Sequence, residues 1–142
     1  MHLLDVNVLI ARCDPAHEHH QRAVRWFSDP AREGWATCPL TENGFVRVLG
    51  HPSYPGGPGT PARAATILRR LTASVPRHRF LPDSISILDA ASFPDLREVT
   101  SKQLTDLYLL ALAVHNDLKL VTFDRRIDAA SIPGGVDAHQ VA

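Results

Sequence analysis

The chain has 142 residues, 44% of them hydrophobic, and a formal net charge of zero. It is long enough for one domain with a real core, so a disordered or fibrous chain is excluded, and residues 1–142 are read as a single unit. No stretch approaches the roughly 20 apolar residues that span a bilayer, and bulk charge does not advertise a nucleic-acid partner.

His2 to Leu4 reads as a short buried strand, and Val6 to Arg12 as the helix that follows it. Asp14-Pro15 offers an N-cap and a first-turn proline, predicting a helix to about Phe27 with Ala16, Ala23, Val24 and Phe27 on one face. Trp35 to Cys38 reads as a second strand, and Thr41 as the cap of a helix carrying Phe45, Val46, Val48 and Leu49. Pro52 to Pro61, dense in proline and glycine, must be a loop, either a surface excursion or a mobile flap. A helix over Ala62–Ala73, a strand over His78–Leu81 and a helix over Ser84–Ala91 follow. Thr105 caps a helix from Asp106 to about His115 that is apolar almost all round and therefore buried. Asn116-Asp117 turns the chain into a strand ending at Asp124, with a last short strand near Val136–His139. Alternating strands and helices predict an α/β fold with a mostly parallel central sheet between helical layers.

Four acids stand at strand ends or helix starts: Asp5, Glu42, Asp106 and Asp124. A parallel sheet gathers the carboxyl ends of its strands at one edge, where ligands bind. Acids distant in sequence can thus meet, and several carboxylates sharing a small volume require a cation. Oxygen donors without Cys or His suit Mg²⁺ or Mn²⁺, the ions of phosphodiester hydrolysis. Each acid alone is equally an ordinary cap or first-turn acid. Asn7, two residues after Asp5, favours a site, and Thr122 falls on the same side of its strand as Asp124, where its hydroxyl can orient that carboxylate.

Other features are weaker. His17 and His20 are one turn apart but lack a third ligand, and a solvated helix start explains them. Arg63, Arg69, Arg70, Arg77 and Arg79 form either a basic rim for RNA or a solvated face. Thirteen arginines against Lys102 and Lys119 suit phosphate recognition, although a GC-rich genome produces the same bias. Cys13 and Cys38 are expected as free thiols in a reducing, cytoplasmic setting, because Met1 to Asp5 meets an acid too early for a secretory signal.

Taken together, Leu4-Asp5-Val6-Asn7-Val8-Leu9-Ile10, Thr105-Asp106-Leu107-Tyr108-Leu109-Leu110-Ala111-Leu112-Ala113 and Leu120-Val121-Thr122-Phe123-Asp124-Arg125 resemble the PIN-domain nucleases, and among them the VapC-type toxins of toxin–antitoxin modules. The resemblance covers nearly the whole chain in the right order. It implies a three-layer PIN-like domain, a Mg²⁺- or Mn²⁺-dependent endoribonuclease, a homodimer, and an antitoxin partner that silences the RNA-cleaving site. It implies in-line attack leaving a 5′-phosphate and a 3′-hydroxyl. Carried over, Asp5, Asp106 and Asp124 hold the metal, with Asn7 and Thr122 as polar supports. Two departures stand out. The family places its second acid near Gly44, where this chain offers Glu42 two residues earlier, and Arg126 stands where many relatives have a further acid. A receiver-like domain is disfavoured because Lys119 lies inside a strand, and a haloacid-type phosphatase because position 7 is Asn. A silent PIN-fold scaffold, or a PIN nuclease of RNA processing outside a toxin–antitoxin module, are the competing readings.

Overall fold

The computed structural model describes residues 1–142. Five short strands form one sheet: β1 (His2–Leu4), β2 (Trp35–Thr37), β3 (His78–Phe80), β4 (Lys119–Thr122) and β5 (His139–Val141). Their order is β3-β2-β1-β4-β5, and every pairing is parallel, so the sheet is wholly rather than mostly parallel. Six helices cover it: α1 (Val6–Cys13), α2 (His20–Ser28), α3 (Pro39–Leu49), α4 (Pro61–Ser74), α5 (Leu104–His115) and α6 (Gly135–Ala138).

The three layers follow from the two-residue alternation of strand side chains. Leu3, Ala36 and Leu120 enter one apolar cluster with Leu107, Leu109, Leu110 and Leu112 of α5. Their neighbours Leu4, Trp35 and Val121 enter the other, with Val8 and Leu9 of α1, Phe45 of α3, and Leu68 and Leu71 of α4. Both faces of the three central strands are thus covered, which is why these strands read as near-continuous apolar runs.

Five expected elements shift or vanish, each for a reason visible in its contacts. The second helix starts at His20 instead of Asp14, because the Asp14 carboxylate folds back to accept from Ala16 N at 2.9 Å and from the Tyr54 hydroxyl at 2.6 Å. The third starts at Pro39 with Cys38 as its cap; Thr41 is the third helical residue, and its hydroxyl accepts from Cys38 N at 2.9 Å. No helix forms over 84–91. There Ser86 Oγ accepts from Leu88 N at 3.2 Å and Asp89 from Ala91 N at 3.1 Å, so side chains take the amides a helix would use. The segment is instead anchored through Ile85, Ile87 and Phe93 on the α5 cluster. Gln103, not Thr105, precedes α5, and its side chain accepts from Thr100. The last strand begins at His139, since Gly135–Ala138 coil into a helical turn.

The Pro/Gly loop makes successive turns on the surface, tied down by the Tyr54–Asp14 contact. Both cysteines are free thiols. No helix is long and apolar enough to cross a membrane.

Candidate active site

The strand order reverses direction between β1 and β4, and in open α/β sheets the crevice beyond the carboxyl ends at such a point receives ligands. Asp5 is the residue after β1, and Thr122 is the last residue of β4. Asp5 N donates to Val121 O at 3.0 Å, so the sheet ladder itself delivers Asp5 to the crevice.

Asp5 is buried and caps α1. Its Oδ1 accepts from Val6 N at 2.6 Å; its Oδ2 accepts from Asn7 Nδ2 at 2.8 Å and from the Thr122 hydroxyl at 2.7 Å. Asn7 also donates to Thr122 Oγ1 at 3.0 Å, and its Oδ1 accepts from Phe123 N at 3.3 Å. This network binds the ends of β1 and β4 together across more than a hundred residues. Thr122 therefore orients the Asp5 carboxylate rather than that of Asp124, from whose amide it accepts at 3.0 Å. Capping and site chemistry prove to be compatible demands on one residue.

Burial raises the Asp5 pKa, its hydrogen bonds oppose the rise, and the charge of Asp124 adds to it. Asp106, half-buried in the first turn of α5, is pushed up to about 6 by burial, then by Asp5 and Asp124, with Arg126 opposing. Asp124 goes the other way. Arg126 donates to its carboxylate through Nε at 3.2 Å and through its terminal nitrogen at 3.3 Å, which holds its pKa low. The structure thus brings Asp5, Asp106 and Asp124 into electrostatic contact. Asp106 and Asp124 open onto a cleft of about 380 Å³ with Thr100, Lys102, Gln103 and Arg126 on its walls. Lys102 and Arg126 are the cations of that wall; the former carries no sequence signal of its role, since α5 and the preceding loop bring it there.

Glu42 is placed elsewhere. It lies in the first turn of α3, accepts from the buried Thr37 hydroxyl at 2.6 Å, and lines a groove with Asn43, Arg69 and Thr72. Gly44, where the family's acid is expected, packs against α1: a Cβ there would come within 2.7 Å of Val6 Cγ2. Of the other candidates, His20 Nδ1 lies 2.7 Å from Ala11 O and His17 Nδ1 accepts from His19 N at 3.1 Å, so both are engaged in backbone contacts. None of Arg63, Arg69, Arg70, Arg77 and Arg79 lines the aspartate cleft.

The donor set suits a hard cation. Asp106 has no hydrogen-bond donor, yet two other acids act on it, an arrangement a bound cation would relieve. No three acidic, His or Cys side chains are drawn together tightly enough to bind one ion directly. Mg²⁺ does not demand this, because it commonly keeps several waters and takes only one or two carboxylates.

Comparison with known proteins identifies the family. The family model described as PIN domain matches residues 2–133. Ribonuclease VapC44 of Mycobacterium tuberculosis is 44% identical over 137 residues, covering 96% of this chain and 95% of that protein. Among solved structures, the Mycobacterium tuberculosis VapC20, a sarcin-ricin loop cleaving toxin, superposes with a TM-score of 0.65 at 16% identity, over 94% of this chain and 97% of the other. VapBC2 of Rickettsia felis, solved bound to a DNA fragment from its promoter, gives 0.64 at 11% identity, over 99% and 98%. Those two likenesses concern the fold, and the identity to the ribonuclease runs over nearly the whole chain. The chain belongs to the PIN-domain family, within the group of VapC ribonucleases.

Proposed function

We propose that this protein is a metal-dependent endoribonuclease, the toxin of a toxin–antitoxin pair, hydrolysing RNA phosphodiester bonds in the aspartate cleft. The observation that supports it most is the charge of Asp5 and Asp124 acting on Asp106, and of Asp124 on Asp5, at the β1–β4 switch point of a VapC-family chain. Asp5, Asp106 and Asp124 would hold Mg²⁺ or Mn²⁺ between them, in part through the ion's own waters. When bound, the ion supplies a Lewis acid for the phosphate and a water of lowered pKa.

The remaining work falls to the chain's own groups. Asn7 and Thr122 fix the direction in which Asp5 points, leaving it one rotamer. Asp106, the least satisfied acid, is the one whose charge is most in need of the ion. Lys102 and Arg126 offset the repulsion between the acids and the RNA backbone as it enters. A cognate antitoxin silences the cleft, a homodimer is the working form, and the cytoplasm is its place; the VapBC assembly from Rickettsia felis supports the first of these.

The test pairs two measurements. Purified protein is given mixed-sequence fluorogenic RNA in Mg²⁺ or Mn²⁺, and the lone chain is expressed in a bacterial host. Cleavage and growth arrest are expected for the parent, and neither for Asp5→Asn. Equal tolerance of both forms, with no cleavage by either, would leave the silent scaffold.

A further inference from the structure

Position 126 departs from the family pattern: an arginine stands where many relatives have a further acid. The local chain shows what it does there. β4 ends at Thr122, and two residues on Asp124 opens a turn in which its Oδ1 accepts from Arg126 N at 2.7 Å. A turn of this kind lays the side chain of its third residue beside the carboxylate of its first. Arg126 Nε donates to Asp124 Oδ1 at 3.2 Å and its terminal nitrogen donates to Oδ2 at 3.3 Å. The planar guanidinium thus takes both carboxylate oxygens at once.

The three cleft acids are therefore served unequally. Asp5 is held by the Val6 amide, Asn7 and Thr122. Asp106 has no donor of its own, and the charge of Arg126 acts on it as well as on Asp124. Lys102, the other cation of the cleft wall, makes no ion pair, and neither does Arg125. Arg126 is thus the chain's own counter-ion for the cluster. It is loosely held: its side chain is 90% exposed, against 28% for Asp124. An ion pair so solvated is weak. A hard cation that takes Asp124 by the same oxygens displaces it, because two cations on one carboxylate repel each other.

We propose that Arg126 is a built-in competitor for the metal: its guanidinium occupies the carboxylate of Asp124 that Mg²⁺ or Mn²⁺ would take, so metal uptake is an exchange of one cation for another. This rests on the reading of the aspartate cleft as a divalent-metal site.

The experiment titrates the purified full chain with Mn²⁺, without RNA, and counts the free ion by its electron paramagnetic resonance signal. Salt is held at about 0.15 M, where the field of an exposed charge fades over about 8 Å. The variants are Arg126→Gln, Arg126→Lys, Arg125→Gln and Asp106→Asn. Both arginines are exposed, and the backbone bond of the Asp124 turn survives their replacement. Arg126→Gln should tighten Mn²⁺ binding about fivefold, equivalent to about 1 kcal/mol. Arg126→Lys keeps the charge but not the fork and should tighten it about twofold. Arg125→Gln deletes the same charge one residue away and should stay within about 1.5-fold of the parent. Asp106→Asn should weaken binding severalfold, which marks the counted ion as the one in the cleft. If no form binds Mn²⁺, or if Asp106→Asn binds it as the parent does, the metal reading of the cleft falls and this proposal with it. If the parent binds it in the cleft and either Arg126 variant binds no tighter, the proposal alone is overturned. An Arg125→Gln form that tightens as much as Arg126→Gln also overturns it alone, because a general field and not the fork would then set the affinity.

Discussion

Asp106→Asn should stabilise the metal-free protein. The folded-state pKa of Asp106 is raised from 3.8 to about 6. At 1.36 kcal/mol per pH unit, a fully buried group displaced so far would cost the folded state about 3 kcal/mol at neutral pH. Asp106 is only half-buried, so solvent screening reduces this to about 1.5 kcal/mol. Its place in the first turn of α5 returns about 0.5 kcal/mol through the helix dipole. The net gain on neutralising it is about 1 kcal/mol, or roughly 3 °C in melting temperature for a chain of this size. The sign has a pH signature. A raised carboxyl pKa penalises folding above the folded value, near pH 6, and the penalty fades as pH falls toward 3.8. Thermal melts in EDTA should therefore show Asp106→Asn ahead of the parent at pH 7.5 and level with it near pH 4. With Mg²⁺ added, the parent should gain more than the variant, because an ion that binds only the folded state stabilises it. A variant that melts below the parent at pH 7.5, or a gain that does not change with pH, would refute the claim that the three aspartates crowd one another.

Thr122→Val removes the hydroxyl that donates to Asp5 and accepts from Asn7 and Asp124; it should destabilise the fold by about 1–3 kcal/mol in urea titration and weaken Mn²⁺ binding about tenfold or more by calorimetry. Gly44→Ala puts a methyl within 2.7 Å of Val6 Cγ2 and should cost about 1–3 kcal/mol, a loss largely restored by adding Val6→Ala. Tyr54→Phe deletes the 2.6 Å tie to Asp14, so limited proteolysis should cut residues 52–60 faster while the RNA-cleaving activity changes little.

What could be read from the sequence is what depends on near neighbours. Leu3-Leu4 and Leu120-Val121 announce strands buried on both faces, and the unbroken apolar run from Leu107 to Ala113 announces a helix with no solvent side. Asp5, Asp106 and Asp124 stand out because an acid beside such runs needs a partner. The failures are also local in form but tertiary in cause. Asp14 has the chemistry of a cap, and Tyr54, forty residues on, claims its carboxylate. Ser84 to Ala91 has helical composition, but Ile85 and Ile87 are drawn down onto the α5 cluster and Ser86 and Asp89 close turns instead.

Only the tertiary structure decided who meets whom. The order β3-β2-β1-β4-β5 puts β1 beside β4, and that adjacency turns Thr122 into a ligand of Asp5 and lets Asn7 bridge the two strand ends. It also separates Glu42 into a strut with Thr37 and His78, which no spacing in the chain foretells. The physical reason is range. Dihedral preference and apolar period act over a few residues and leave their mark in the sequence. Strand pairing across more than a hundred residues is fixed by how both apolar faces of the sheet can be covered at once, and the partners of each polar group follow from that choice.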